Sequence, residues 1–155
     1  MKLYDFKPAP NPMRLNLFLA EKGIELDTEQ VNMMTGEHFS AEYKSVNPMM
    51  TLPSLLLDDD TLMTEVVGMC SYIESENPET PLMGRSSLEK ALVLSWDHRC
   101  YIEGLGGVAD ILRNSAKAFE NRALPGPTNL PQIPELIERG QKRVAAFFNV
   151  LEQHL

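Results

Sequence analysis

Cysteine and histidine, the residue types that most often act as nucleophiles or metal ligands, are scarce in this sequence. Cys70 and Cys100 do not form a Cys-x-x-Cys pair, which argues against the dithiol chemistry of thioredoxin-type oxidoreductases. Cys70 lies on an apolar stripe at helical spacing, the pattern of an inert buried thiol, and we expect the same of Cys100. No metal site is predicted, because the three histidines lack ligand spacing; they are His38, His98 and His154.

Composition narrows the function classes further. The 43% of hydrophobic and 23% of charged residues are typical of a globular chain, and the net charge of −8 disfavours binding to nucleic acid. Two cysteines are too few for a disulfide framework. The N-terminus has no signal-peptide pattern and no run of 18 apolar residues occurs, so we expect a soluble, reduced, cytoplasmic protein without membrane contact.

The elements that must position a site alternate between strand and helix in the first half of the chain. Strand patterns cover residues 2–6 and 26–31, and a hairpin joins 53–57 to 61–63 through an acidic turn. Helix patterns end at Gly23, cover 37–45 up to Asn47-Pro48, and run from an N-cap at Thr64 to about Glu76. The order βαβ, helix, ββα predicts a mixed α/β domain.

The second half of the sequence is predicted to be all-helical. One helix pattern covers 86–117, interrupted by Gly104, Gly106 and Gly107, which we expect to bend it. A proline-rich loop over 119–131 precedes a second helix pattern over 133–155.

Three stretches of the first half occur in a characteristic order. They are Ala9-Pro10-Asn11-Pro12 with Phe18-Leu19-Ala20-Glu21-Lys22-Gly23, then Asn47-Pro48-Met49-Met50-Thr51-Leu52-Pro53, and then Leu62-Met63-Thr64-Glu65 with Tyr72-Ile73-Glu74. With these motifs the sequence resembles the glutathione S-transferase superfamily, in its bacterial branch. The resemblance implies a thioredoxin-like glutathione-binding domain over 1–80 and a partial all-α C-terminal domain over 86–155. Relatives continue for several more helices, so we expect a C-terminally short chain.

The resemblance implies that the bond between Leu52 and Pro53 is cis, which turns the N–H and C=O of Leu52 toward glutathione like an unpaired strand edge. The alternative is an ordinary trans proline that opens a strand.

It also implies that the helix beginning near Thr64 binds the γ-glutamyl group. The Val66 N–H at the helix N-terminus faces the carboxylate and Glu65 accepts from the ammonium. Relatives often have Ser or Thr where this chain has Val66, so the site is weakened. The alternative is that Thr64 only caps the helix and Glu65 complements its dipole.

The catalytic position departs furthest from the pattern of the relatives. Relatives carry Tyr, Ser or Cys near the start of the first helix, and residues 7–13 contain none of these. Asn11 is left as the catalytic candidate, because its amide donors and the helix dipole both lower the pKa of a thiol. Asn11-Pro12 is also a favourable N-cap and N1 pair, so capping is the competing role. Tyr4 lies within the first strand and is not counted.

The remaining candidates for contact with glutathione are expected to have ordinary surface or core roles instead. We expect His38 and Lys44 to be solvated rather than to bind the glycyl carboxylate, and Thr51 replaces the cation common there. Trp96 is expected in the core and Arg99 is a lesser candidate for contact with glutathione; with Glu103 they share one broad helix face.

The implied function is a cytoplasmic glutathione transferase with a role in detoxification, in which glutathione is the co-substrate and its thiolate attacks a small hydrophobic electrophile. The alternatives are a glutathione-dependent disulfide reductase and a non-catalytic glutathione-binding module. By the same resemblance we expect a homodimer.

Overall fold

A computed structural model describes residues 1–155, which form two compact units, Met1–Met83 and Gly84–Leu155. The strands of the first unit make one mixed sheet in the order β2-β1-β3-β4. β1 pairs parallel with β2 and antiparallel with β3, and β4 pairs antiparallel with β3. The strands are β1 (Lys2–Asp5), β2 (Asp27–Gln30), β3 (Ser54–Leu56) and β4 (Leu62–Met63). The predicted order βαβ, helix, ββα is confirmed.

Three helices belong to this unit: α1 (Pro10–Lys22), α2 (Ala41–Val46) and α3 (Val66–Glu76). α1 is the crossover that a parallel pair such as β1 and β2 requires. One apolar cluster joins buried side chains of β1, β3, α1 and α3: Leu3, Leu15, Leu19, Leu55, Val66, Met69, Cys70 and Ile73. A second cluster contains Tyr4, Val31, Tyr43 and Leu52. Burying one such Leu or Ile side chain stabilises the fold by roughly 1.5–3 kcal/mol.

The predicted end of α1 at Gly23 is confirmed. Gly23 has φ 68°, the left-handed conformation that glycine adopts at little cost. Its N–H donates to the Ala20 carbonyl, and the N–H of Ile24 donates to the Leu19 carbonyl, both at 3.0 Å. Carbonyls of the last turn are thereby satisfied.

The predicted second strand forms as β2, the edge strand of the sheet, with all four of its side chains exposed. One local prediction in this unit needs correction. The single helix predicted over 37–45 is instead a 3₁₀ turn, Glu37–Phe39, followed by α2, which Ser40 caps by accepting from the Tyr43 N–H.

The second unit is helical, as predicted. It contains α4 (Ser87–Arg99), a π-helical segment (Cys100–Leu105), α5 (Gly106–Ser115) and α6 (Glu135–His154). Ser86 and Glu89 form a reciprocal capping box at the start of α4. The glycines expected to bend the helix lie in and just after the π-helical segment, which shifts the register between α4 and α5. No helix in the structure is both long enough and apolar enough to cross a bilayer.

Candidate functional site

Three loop segments of the first unit lie at the edge of the sheet where strands β1 and β4 end and β3 begins. β1 and β4 run in the same direction and β3 runs opposite, because both neighbouring pairs are antiparallel. The end of β1, the start of β3 and the end of β4 are therefore at the same edge. The first leads into α1, the second follows Leu52 and Pro53, and the third leads into α3. The topology thus gathers all three predicted site segments.

The segment before β3 presents main-chain groups. The bond between Leu52 and Pro53 is cis, as predicted, and both side chains are buried. The pairing between β1 and β3 ends at Ser54, and Leu52 takes part in no main-chain hydrogen bond of the sheet or the turns. Its N–H and C=O therefore resemble a short length of free strand edge.

The start of α3 differs by one residue from the prediction. Glu65 rather than Thr64 is the N-cap, because Glu65 has the extended conformation and its carbonyl accepts from the Met69 N–H at 3.0 Å. The Glu65 carboxylate makes no capping hydrogen bond and is exposed. The N–H groups of the first turn, beginning at Val66, have no intrahelical acceptor. This helix end offers N–H donors and a carboxylate side by side, while the Val66 side chain is buried in the core.

The competing role of Asn11, that of N-cap of α1, is contradicted by the structure. The helix begins at Pro10 with Ala9 as the N-cap, so Asn11 is the second helical residue. Asn11 is exposed, and its side-chain amide makes no hydrogen bond. Pro10 and Pro12 lack an N–H, and the Ala9 N–H already donates to the Phe6 carbonyl at 2.9 Å. Asn11 therefore supplies the free donors at this helix start.

The secondary candidates of the first unit separate clearly. His38 is buried, not solvated, with its ring centroid 3.7 Å from that of Phe39. It packs in the 3₁₀ turn, where the sequence pattern indicates a continuous surface helix. Lys44 is exposed on α2, as expected.

Sequence patterns do not single out three residues that lie behind the Leu52 segment. Tyr43, Asn47 and Ser54 surround the carbonyl oxygen of Thr51, within 3.2 Å or less. In the sequence, Asn47-Pro48 marks a helix end and opens the second of the three motifs, but neither feature assigns Asn47 a role in the site. The sequence signal that could have identified this cluster is the side-chain amide of Asn47 before Pro48, together with the hydroxyl of Ser54 directly after Leu52-Pro53.

In the second unit, the predicted helix-face residues have partners of their own. The expectation that Trp96 lies in the core is wrong, because its ring is only half-buried, against the His154 ring with centroids 4.1 Å apart. Arg99 lies over Trp96 and pairs with Glu103 at 3.6 Å. Cys100 is exposed at the start of the π-helical segment, so the expectation that it is buried is wrong, whereas that for Cys70 is confirmed.

The mixed sheet with its cis-proline segment and flanking helices defines a thioredoxin-like domain. Comparison with known proteins agrees with that class. Residues 9–76 match the family model for the glutathione S-transferase N-terminal domain. Glutathione S-transferase 2 of Saccharomyces cerevisiae is 32% identical over 111 residues, which are 70% of this chain and 48% of the relative. Glutathione S-transferase Z1 of Arabidopsis thaliana is 30% identical over 92 residues, which are 59% of this chain and 41% of the relative.

Among solved structures, a glutathione S-transferase domain-containing protein of Marinobacter aquaeolei superimposes with a TM-score of 0.85 at 26% identity. The match covers 99% of this chain and 73% of that one. The chain belongs to the glutathione S-transferase superfamily. It spans about half the length of the curated relatives it matches.

Proposed function

We propose that this protein binds glutathione at the sheet edge and transfers its thiolate to a small hydrophobic electrophile. One observation supports the proposal most: a free main-chain edge, a helix start beside a carboxylate and a helix start with free amide donors all lie at that edge. Glutathione is an extended tripeptide with two carboxylates, one ammonium and a thiol. The main chain of the tripeptide, the γ-glutamyl carboxylate, the ammonium and the thiol each have a counterpart in this set, whereas the glycyl carboxylate has none in it.

The roles follow from the chemistry of each segment. The N–H and C=O of Leu52, next to cis-Pro53, pair with the main chain of the tripeptide. The first N–H groups of α3, beginning at Val66, bind the γ-glutamyl carboxylate, because that helix end carries partial positive charge. The Glu65 carboxylate accepts a charge-assisted hydrogen bond from the γ-glutamyl ammonium.

Asn11 is proposed to act on the thiol. Its side-chain NH₂ and the positive end of the α1 dipole both favour the thiolate, and the thiol proton passes to solvent. The thiolate sulfur then forms a bond to the electrophilic carbon, and the leaving group departs with the electron pair of the broken bond. The protein contributes orientation and a lowered thiol pKa and forms no covalent bond itself.

A second candidate function is glutathione binding without turnover. It is favoured by the absence of Tyr, Ser and Cys from residues 7–13 and by Val66 where relatives often have a hydroxyl. Retention on immobilised glutathione, followed by conjugation and disulfide-reduction assays, distinguishes the candidates. Conjugation supports the transferase, disulfide reduction alone indicates the reductase, and retention without turnover indicates the binding module.

The role of Asn11 predicts a change in the bound thiol. We expect Asn11→Ala to raise the thiol pKa of bound glutathione by about one unit, which corresponds to one lost charge-assisted hydrogen bond. Asn11→Asp should raise it further, because a carboxylate repels the thiolate. The measurement is the ultraviolet absorbance of the thiolate against pH, with Asn149→Ala on the exposed face of α6 as the matched control. An unchanged titration in both Asn11 variants would remove Asn11 from the mechanism.

We further infer that the protein is a homodimer. The resemblance supports this, and so does α4, which has no buried side chain and exposes Leu88, Leu92, Val93 and Leu94. Such a row of apolar side chains is typical of a protein interface.

A further inference from the structure

A buried polar cluster lies directly behind the Leu52 segment. The Tyr43 hydroxyl donates to the Thr51 carbonyl at 2.6 Å, and the Asn47 side-chain amide donates to the same oxygen at 3.0 Å. The Ser54 hydroxyl lies 3.2 Å from that oxygen and 2.9 Å from both the Tyr43 hydroxyl and the Asn47 amide nitrogen. Three side chains thus converge on one main-chain oxygen.

The three side chains come from separate parts of the fold. Tyr43 belongs to α2, Ser54 opens β3, and Asn47 follows α2 in the intervening loop. Asn47 and Ser54 are fully buried, and Tyr43 is 4% exposed. Burying this many polar groups is costly unless they bond to one another, so the cluster keeps a defined geometry.

Asn47 also organises the loop that leads to Thr51. Its side-chain oxygen accepts from the Met49 N–H at 2.9 Å, and its own carbonyl accepts from the Met50 N–H at 2.9 Å. Met50 has φ 55°, a left-handed conformation that is uncommon outside glycine. One buried amide therefore holds both the turn over 47–50 and the Thr51 carbonyl that follows it.

The position of the Thr51 carbonyl decides where Leu52 points. The bond between Thr51 and Leu52 is trans, so its C=O and N–H point in opposite directions within one plane. A carbonyl held inward by Tyr43 and Asn47 directs the Leu52 N–H away from the cluster.

We propose that Tyr43, Asn47 and Ser54 are positioning residues that fix the Thr51–Leu52 peptide plane and so orient the Leu52 edge for the main chain of glutathione. The ligand-related part of this inference rests on the proposed function. The part that concerns the Thr51–Leu52 peptide plane does not rest on the proposed function, because the order of that plane can be measured without ligand. Burial raises the pKa of Tyr43, so its hydroxyl remains a donor through the neutral range.

The test compares Tyr43→Phe with Tyr4→Phe. The two rings pack edge to face in the same cluster, with centroids 5.8 Å apart, and both variants delete one phenolic hydroxyl. Only Tyr43 reaches Thr51. Asn47→Asp is the second variant, because it keeps the acceptor for Met49 and places a carboxylate against the Thr51 carbonyl. In the ligand-free protein we expect the ¹⁵N order parameter of the Leu52 amide to fall in Tyr43→Phe and Asn47→Asp and to stay unchanged in Tyr4→Phe.

Binding supplies the second readout. We expect Tyr43→Phe to raise the Kd for glutathione about fivefold, the value of one net hydrogen bond. The loss should shrink for an analogue in which a thioamide replaces the cysteinyl C=O, because its sulfur is a weaker acceptor for the Leu52 N–H and the variant and the analogue then disturb the same contact. Equal losses for both ligands would indicate general destabilisation and overturn the positioning role.

The outcomes separate the two proposals. A wild-type protein that does not bind glutathione contradicts the proposed function, and the Leu52 order parameter then decides the positioning of the peptide by itself. An order parameter that stays at its wild-type value in both Tyr43→Phe and Asn47→Asp overturns the inference, whatever the protein binds.

Discussion

Lys22 and Glu74 form a nearly buried ion pair at the opposite end of α1 from Asn11. Their charged atoms lie 2.7 Å apart, and their side chains are 1% and 12% exposed. The Lys22 ammonium also donates to the carbonyls of Asn77 and Thr80, both at 2.8 Å. One cation thus satisfies the end of α3 and the turn that follows it. At the residue scale, this pair connects α1 to α3, the two helices whose N-termini belong to the candidate site.

The ion pair predicts a pH-dependent stability. Burial raises the pKa of Glu74, but hydrogen bonds from Lys22 and from the N–H groups of Met83 and Leu82 outweigh it, and the pKa is lowered from 4.5. Because the folded-state pKa is lower than the unfolded one, this contribution is present above pH 4.5 and is lost as the pH falls through the folded-state value.

We therefore expect Glu74→Gln to reduce the free energy of unfolding by about 2 kcal/mol at pH 7, since it leaves a buried ammonium without its counter-charge. The deficit should shrink progressively below pH 4.5. Urea unfolding at several pH values measures it, with the exposed Glu76→Gln on the same helix as control. A deficit that is constant from pH 7 to pH 3 would contradict the assigned cause.

At the element scale, small residues determine how closely α5 and α6 approach. A Cβ on Gly140 would lie 2.6 Å from the Gly107 carbonyl oxygen, and one on Gly107 would lie 3.2 Å from the Gly140 carbonyl oxygen. The Arg143 guanidinium donates to the Ile102 carbonyl within the π-helical segment and to the Asp110 carboxylate. The helix crossing and the π-helical segment are thus held by the same turns of α6.

This close approach predicts opposite signs for two glycine-to-alanine substitutions. Alanine favours a helix over glycine by about 1 kcal/mol where space permits. At Gly68 in α3 no atom beyond the adjacent residues and the helix's own backbone lies within 4 Å of the added Cβ, so Gly68→Ala should stabilise the protein by about 0.5 kcal/mol. At Gly140 the clash is with backbone, so Gly140→Ala should destabilise it by about 2 kcal/mol. Denaturant unfolding followed by circular dichroism measures both, and a neutral Gly140→Ala would show that α5 and α6 can separate freely.

The sequence predicted elements better than their ends. The helix stop at Gly23, the hairpin after Pro53 and the long C-terminal helix follow from local turn chemistry and periodicity. Helix starts were displaced by one or two residues at Ala9 and Glu65, because both lack the side-chain cap on which sequence rules depend. Short-range signals thus succeed only where a local hydrogen bond defines the boundary.

The buried polar groups could not be predicted from the sequence. Asp5 is fully buried at the end of β1, and its carboxylate accepts from the side-chain amides of Asn16 and Gln30. Those partners lie on α1 and β2, and the Thr51 cluster is likewise assembled from separate elements. Such contacts depend on tertiary arrangement, whereas the motifs around Pro53 and Glu65 are contiguous in sequence and revealed their part of the candidate site.

At the scale of the whole molecule, the proposed homodimer must bring two chains of net charge −8 together. Long-range repulsion between them weakens as salt screens it, while the burial of apolar side chains is less sensitive to salt. Leu88 and Leu92, 69% and 53% exposed, lie one helical turn apart on α4 and are suited to such burial. Association should therefore tighten between low and physiological ionic strength.

Sedimentation tests this directly. We expect the wild type to sediment at twice its chain mass of 17.4 kDa, with a dimer dissociation constant that falls as salt increases. Leu92→Arg should shift the protein to monomer, because it places a charge among apolar side chains that become buried. Leu124→Arg should remain dimeric, since Leu124 is similarly exposed but lies in the loop between α5 and α6. A wild type that sediments as a monomer would contradict the homodimer, and dissociation of both variants alike would show that α4 has no special role in the contact.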